Sequence, residues 1–479
     1  MSLLIKGGEV VDGTGMTPKK SDVLIVGNRI AAMGDLPSYK ADRVIQAAGS
    51  FLLPGFTDIS TVSDTRLSLF DEPSQADFLK DGVTTIVGGT KGFSLAPAMY
   101  AEELPPSNIG WQTIGECLGV LQSLRLGVNF VTFSGYKTLR NSITPNKRNL
   151  GAKEIKVISF LLEQCFTEGS LGVSLDDGGF AEFDATPEEI ATILKILKKQ
   201  GKTAFIPLNA EDKSYMSFIE SGVKAVIGNL NESLETGNSF DKLSSAIEKR
   251  IPQAEFVFAF SPYPYFQFKS RDIFPKTAGQ TGVKAFFDNL KKKRALKFFE
   301  KKIKKLNLEK SFVFDTPRKG TKFLMGKSIA EFAENRRIKN DEAIIQIINM
   351  VGPDASFLSK MDDDALMEKF VSHPRSVVGS FIWSPMPPSS LIHSELSHPF
   401  SEFLRLSDKL GHRIELTVKK LSAPARLFGF KKRGVVKEGY AADLVILKNN
   451  RPESTIVNGE VAFEDGLVKN ARSGEIIIT

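Results

Sequence analysis

Short apolar runs crowd both ends of the chain, and a long alternation of apolar segments with amphipathic ones lies between them. Near the start, Leu3 to Ile5, Val10-Val11, Val23 to Val26 and Ile30 to Met33 are apolar or alternating. Gly27-Asn28 separates the last two, which predicts a hairpin. Near the finish, Leu444 to Leu447 reads as a strand, and Thr455 to Val457 meets Glu460 to Phe463 across Asn458-Gly459. Neither end is long enough to bury a core by itself. Together they predict one small composite β-sandwich, residues 1–53 plus 434–479.

The middle of the chain predicts an α/β fold. Strand-like runs fall at Thr84 to Val87, Asn129 to Phe133, Leu171 to Leu175, Thr203 to Leu208, Ala225 to Ile227, Phe256 to Phe260 and Val377 to Gly379, with a further strand ending near Ile59. Helical segments separate them. One is Pro187 to Gln200, with Thr186 as N-cap and Glu188 and Glu189 in the first turn. Eight strands with intervening helices predict a (β/α)8 TIM-type barrel over 54–433. Between Phe260 and Val377 the spacing is too long for a simple connection. That predicts an insertion at about 278–370. It carries a basic amphipathic helix over Lys291–Lys305, with Leu290, Leu296, Phe298, Phe299 and Ile303 as its apolar stripe. A solvated face is the common role of such a helix, and anionic lipid or nucleic acid is the alternative.

Composition narrows the chemistry. The chain has 479 residues, 42% hydrophobic and 25% charged, which is ordinary globular usage. A net charge of +7 is mild and does not by itself indicate a nucleic-acid binder. No apolar run approaches membrane-spanning length, and no secretory h-region follows Met1. Two cysteines, Cys117 and Cys165, cannot build a disulfide framework. They fall in helical segments as small buried hydrophobes. These features predict a cytoplasmic protein. The most restrictive number is four histidines, all between His373 and His412. None can sit on strands one to seven, so a histidine-rich centre at the barrel mouth is not expected.

Several motifs carry a resemblance. Pro54-Gly55-Phe56-Thr57-Asp58 follows the strand-rich start, and Asp81-Gly82-Val83-Thr84-Thr85 precedes Gly92-Phe93-Ser94-Leu95-Ala96-Pro97. Tyr263-Pro264-Tyr265 ends a later strand. Ser422-Ala423-Pro424-Ala425-Arg426-Leu427-Phe428-Gly429 leads through Gly434 and Gly439 to Ala441-Ala442-Asp443-Leu444-Val445. Nearly end to end, this resembles the N-acyl-D-amino-acid deacylases (D-aminoacylases) of the amidohydrolase superfamily. The resemblance implies a barrel beside a β-sandwich. It also implies zinc-dependent amide hydrolysis, in which the metal lowers the pKa of bound water and a carboxylate serves as base.

Motif by motif, the ligand positions that the family implies hold other residues here. The first-strand His-x-His falls on Ser60 and Val62, and the bridging Cys on Lys91. The fifth-strand His falls on Pro207, with Asn209 for the Arg that follows and Glu211 kept. The sixth-strand His falls on Asn229, the catalytic Asp on Phe381 after Gly379-Ser380, and a further pocket His on Tyr136. Val62, Pro207 and Phe381 offer zinc no side-chain donor.

The reading at this point is a catalytically inactive, D-aminoacylase-like protein that binds a ligand or acts as a scaffold. It has no cofactor, no metal and no catalytic residues. The alternative is an active hydrolase of N-acyl-D-amino acids or related amides with a non-standard site. Lys91, Asp64, Glu211, Asn229, Tyr263 and Ser380 are the candidate pocket residues. Lys91 has three readings: an internal pair with Asp58 or Asp64, a contact for a ligand anion, or a desolvated nucleophile. His393 and His398 with Glu395 lie in a Pro/Ser-rich loop, and His373-Pro374 reads as a turn. Asp176-Asp177-Gly178-Gly179 reads as turn chemistry before it reads as a cation site. The partner expected is a small anionic or acylated amino-acid-like ligand. A homo-oligomer is open to it, and neither nucleic acid nor a membrane span is expected.

Overall fold

The computed structural model describes residues 2–97, 111–144, 149–176, 180, 184–208, 214–228, 230–233, 237–273, 293–304, 306–361, 363–381, 398–470 and 472–479. Eight parallel strands run Phe56–Asp58, Val83–Gly88, Asn129–Thr132 continued by Ser134–Gly135, Gly172–Ser174, Thr203–Pro207, Lys224–Gly228, Phe256–Phe260 and Ser376–Val378. They coincide with the eight apolar runs of the sequence. Strands buried on both faces read as unbroken apolar segments, and that is why they are legible.

Alternation along each strand sorts side chains into two cores. Val87, Val131, Phe205, Val226, Val257, Ala259 and Val377 fill the barrel interior. Ile86, Phe130, Ala204, Ile206, Ile227, Phe258 and Val378 face the surrounding helices. The seam between strands eight and one is closed without a ladder. The N–H of Ser380 donates to Asp58 Oδ1 at 3.0 Å, and the N–H of Phe381 to the carbonyl of Ser60 at 2.8 Å.

Among the helices, Pro187–Lys199 begins as its sequence predicts, with the Thr186 hydroxyl accepting from the Glu189 N–H at 3.2 Å. Cys117 and Cys165 lie buried in helices Ile114–Leu124 and Ala152–Thr167. Burial pushes their thiols up to about 12 and about 11, so neither is a poised thiolate. No helix among the described residues is long and apolar enough to cross a membrane.

The chain ends share one nine-stranded sheet. Its order is Leu467–Val468, Glu460–Glu464, Arg451–Val457, Leu444–Lys448, Phe51–Pro54, Ser2–Val10, Lys19–Val26 and Arg29–Gly34, with Arg43–Gln46 also on Ser2–Val10. Hydrogen bonding thus joins the terminal strands into one sheet rather than two. The Arg29–Ala441 bridge curls its far edge back, and Ile5, Ile25, Ile30, Leu52, Leu444 and Ile456 share one core. Asp443 of the C-terminal motif locks this sheet to the barrel. It accepts from the Asn458 N–H at 2.8 Å and from Asn129 Nδ2 of strand three at 3.1 Å, and it pairs with Arg433.

Between strands seven and eight, residues 265–361 make their own unit, starting earlier and ending sooner than the 278–370 expected. Tyr265–Lys269, Ser356–Lys360 and Ser311–Asp315 form an antiparallel sheet over a separate core of Phe268, Phe299, Val313, Ile344 and Ile348. The first of these strands starts directly after Pro264. Helix Asp364–Ser372 packs Leu366 and Phe370 into the barrel's outer layer, so it belongs to the barrel. The basic helix spans Lys293–Ile303, while Lys291, Lys292 and Lys305 lie outside the described residues.

Candidate functional site: the barrel mouth

In a (β/α)8 barrel the reactive groups gather at the C-terminal strand ends. Here those ends carry buried hydroxyls: Ser60, Thr61, Ser63, Thr90, Ser174 and Ser380. They bond to one another and to the backbone. Ser60 and Thr90 share a 2.8 Å hydrogen bond, as do Thr61 and Ser63 at 2.9 Å. Ser380 Oγ donates to the Ser60 carbonyl at 3.1 Å. Ser174 Oγ accepts from the Gly92 N–H at 3.1 Å and donates to the Gly89 carbonyl, fixing the loop that carries Lys91. Gly92 is required in that loop. Its φ is +73°, and a Cβ there would stand 2.6 Å from the Asp176 nitrogen.

An aromatic ring occupies the middle of the mouth. Phe381, at φ +54° and 4% exposed, joins the interior core, its ring 6.4 Å from Phe205. Phe133 stands 6.0 Å from Phe205 and 5.7 Å from Phe428. Pro207 is buried at the end of strand five opposite Gly228, and Val62 is half-buried. Hydroxyls already bonded within the protein, an aliphatic chain, a proline and a phenyl ring do not form the imidazole, thiolate and carboxylate set of a zinc centre. No cluster of three metal-ligating side chains occurs among the described residues.

Two of the four histidines, His373 and His412, stand away from the mouth. His373 precedes strand eight, at the opposite end of the barrel, with Nδ1 accepting from the Arg375 N–H at 3.2 Å. His412 Nε2 is 3.3 Å from Ser372 Oγ. The backbone N–H of His398 donates to the Tyr263 hydroxyl at 3.0 Å. His393 and Glu395 lie outside the described residues, as do Asn209, Glu211, Asn229, Asp177, Gly178 and Gly179.

Two of the expected pocket residues, Asp64 and Tyr263, have other surroundings, and so do Asp58 and Tyr136. Asp64 is buried behind strand two, where the outer face of Gly88, Phe130 and Cys117 surround it. It accepts from the Gly89 N–H at 2.6 Å, and burial pushes its carboxyl up to about 6. Asp58 is likewise raised to about 6 by burial and is tied to the Ser60 and Ser380 N–H groups. Neither carboxylate bonds to Lys91, so the expected internal pair does not form: their side chains serve the seam and the barrel–helix layer. Tyr136 also turns away from the axis. Its hydroxyl donates to Glu189 Oε1 at 2.6 Å, and its ring packs edge-on against Phe180. Tyr263 lines a cleft of about 730 Å³ with Lys80, His398, Arg405 and Arg451, running along helix Pro399–Lys409 to the terminal sheet.

What converges on the mouth is positive charge. Lys91 is half-buried, and Lys137 stands 3.8 Å from Asp176 and 4.6 Å over the Phe93 ring. Burial, and then the charges of Arg271, Lys137 and Lys91, hold the Lys269 ammonium below its ordinary range. Lysines from a loop, a helix start and the end of the insertion's first strand therefore act on one locality.

Two buried groups escaped the sequence reading. Arg140 is fully buried, with Nε 3.5 Å from Glu189 Oε1. Asp81 caps helix Pro399–Lys409, accepting from the Phe400 and Ser401 N–H groups at 2.7 and 2.9 Å. The Leu139-Arg140 pair that follows Gly135-Tyr136 was the available signal for the first.

No protein-family model matches the chain. The D-aminoacylase of Alcaligenes xylosoxydans xylosoxydans is 25% identical over 470 residues, spanning 93% of this chain and 87% of that protein. The N-acyl-D-glutamate deacylase of Bordetella bronchiseptica, solved with zinc and a phosphonate inhibitor, superposes with a TM-score of 0.80 at 20% identity, over 100% of this chain and 99% of that one. A D-aminoacylase described as defining a subset of amidohydrolases gives 0.77 at 23% identity, over 100% and 99%. Along nearly its whole length the chain is similar in sequence to a D-aminoacylase, and its TIM-barrel-type fold is that of the D-aminoacylase structures.

Proposed function

We propose that this protein is a non-hydrolytic member of that group, which uses the barrel mouth to hold a small anionic, acylated amino-acid-like ligand. One observation carries the reading. The strand ends that supply metal ligands and a base in the resembled family bear bonded hydroxyls and the Phe381 ring here. Amide hydrolysis needs an activated water. Lowering a water's pKa from about 15.7 to about 7 takes a Lewis acid that this donor set does not suit. Of the nearby carboxylates, Asp58 and Asp64 accept from backbone N–H groups and Asp176 pairs with Lys137. Lys91, Lys137 and Lys269 supply charge of the right sign for a carboxylate ligand.

Thermal melts with N-acyl-D-amino acids and simple dicarboxylates test this. Wild type should gain melting temperature with at least one of them. Lys91→Ala should lose most of that gain. Hydrolysis of an N-acyl-D-amino acid that survives repurification would favour the alternative, an active hydrolase with a non-standard site. A ligand response identical in wild type and Lys91→Ala would remove Lys91 from the site.

A further inference from the structure

The charge of the chain is unevenly placed. Residues 265–360 hold 22 lysines and arginines against 10 aspartates and glutamates, an excess of +12. The remainder, with 41 against 46, is −5. The net positive charge of the whole chain therefore resides in the insertion, not in the barrel.

Within the insertion, helix Lys293–Ile303 buries Phe299 and Ile303 and turns its other sides outward. Lys297, Lys301 and Lys304 recur at four- and three-residue spacing, so they lie along one exposed ridge. Phe298 is 36% exposed on the adjoining ridge, with Lys302 Nζ 5.8 Å from its ring. The turn Lys319–Leu324 repeats the pattern: Leu324 enters the core that holds Phe299 and Ile303, while Phe323 is 64% exposed next to exposed Lys322 and four residues after exposed Lys319. Two aromatic rings thus stand out of one small body, each set among lysines.

We infer that the insertion is a docking surface for an anionic membrane, with lysines on lipid headgroups and Phe298 and Phe323 entering the interface. Charge complementarity selects the partner, because a basic face attracts anionic lipid and is screened by salt. The exposed rings select lipid over nucleic acid, since an aromatic ring on a basic amphipathic face suits the headgroup boundary. The exposed cations named are all lysines, point charges without the planar fork that arginine offers phosphates and bases. The inference does not rest on the ligand at the mouth: Lys269 enters only the charge count, and none of the exposed lysines and rings named here belongs to that site.

Co-sedimentation of the full chain with vesicles tests it. The protein should pellet with phosphatidylcholine vesicles containing about a third phosphatidylserine and not with phosphatidylcholine alone. Binding should fall steeply as salt rises from about 0.1 to about 0.5 M, a wild-type measurement that needs no variant to fold. The K297E/K301E/K304E variant, checked by melting, should lose at least about tenfold in partitioning. F298A/F323A should weaken binding several-fold without changing its salt slope. No pelleting with either vesicle, equal pelleting with both, or tighter binding to an oligonucleotide than to the anionic vesicles would overturn the inference.

Discussion

Glu189→Ala should destabilise the protein by roughly 3–5 kcal/mol, the usual cost of removing one partner from a buried ion pair. Both side chains are 0% exposed, and Arg140 Nε stands 3.5 Å from the lost carboxylate. The same change strips the Tyr136 hydroxyl of its 2.6 Å acceptor. Glu189→Gln separates the two effects: it keeps an acceptor for Tyr136 and removes only the charge, so it should cost less than the alanine. Tyr136→Phe deletes only the hydroxyl and should cost about 1–3 kcal/mol. Denaturant melts of the three variants give the comparison. An unchanged midpoint for Glu189→Ala would mean that the buried cluster does not support the barrel–helix layer.

The second large effect is a pH dependence of unusual sign. Burial raises the Asp64 carboxyl from its ordinary 3.8 to about 6. Between about pH 4 and pH 6 the unfolded chain has released this proton while the folded protein still holds it. Stability from this group is therefore fully present below about pH 4 and is lost as pH rises through about 6. Two pKa units correspond to roughly 3 kcal/mol. Asp64→Asn removes the titration and leaves an acceptor for the Gly89 N–H. Relative to wild type, the variant should thus gain roughly 3 kcal/mol between pH 4 and pH 8. Any constant cost of an unbonded amide cancels in that difference. A wild-type-minus-variant stability that is flat with pH would show that folding leaves the Asp64 carboxyl in its ordinary range and would contradict its burial-raised protonation. Asp58, at about 6, and Asp81, at about 7, slope the same way in the wild type.

The barrel is legible in the sequence because strands buried on both faces read as apolar runs of strand length, and the Thr186-Pro187 start of one helix reads as a cap. The Gly27-Asn28 and Asn458-Gly459 links read correctly as hairpins for the same local reason. The insertion is less legible. Its first strand follows barrel strand seven after four residues, so no composition change marks the boundary. At the mouth, sequence locates a residue near a strand end but not the side it faces. Asp64 was expected toward the axis and faces the helices, and Tyr136 reaches back to Glu189, 53 positions away. Phe381 kept its place in the interior because it lies only three residues past strand eight and an aromatic side chain is drawn toward the ring of Phe205 and its neighbours. His373 and His412 stand away from the mouth, beside the Arg375 N–H and the Ser372 hydroxyl.

Zinc stoichiometry tests the central claim most directly. Protein expressed in zinc-supplemented medium, dialysed against a weak chelator and analysed for metal should retain far less than one zinc per chain, because Ser60, Val62, Pro207 and Phe381 give the strand ends no zinc-binding set. A stoichiometric zinc that resists the chelator, and is lost when Lys91 or Ser60 is replaced, would place a working metal centre at the barrel mouth and contradict the account.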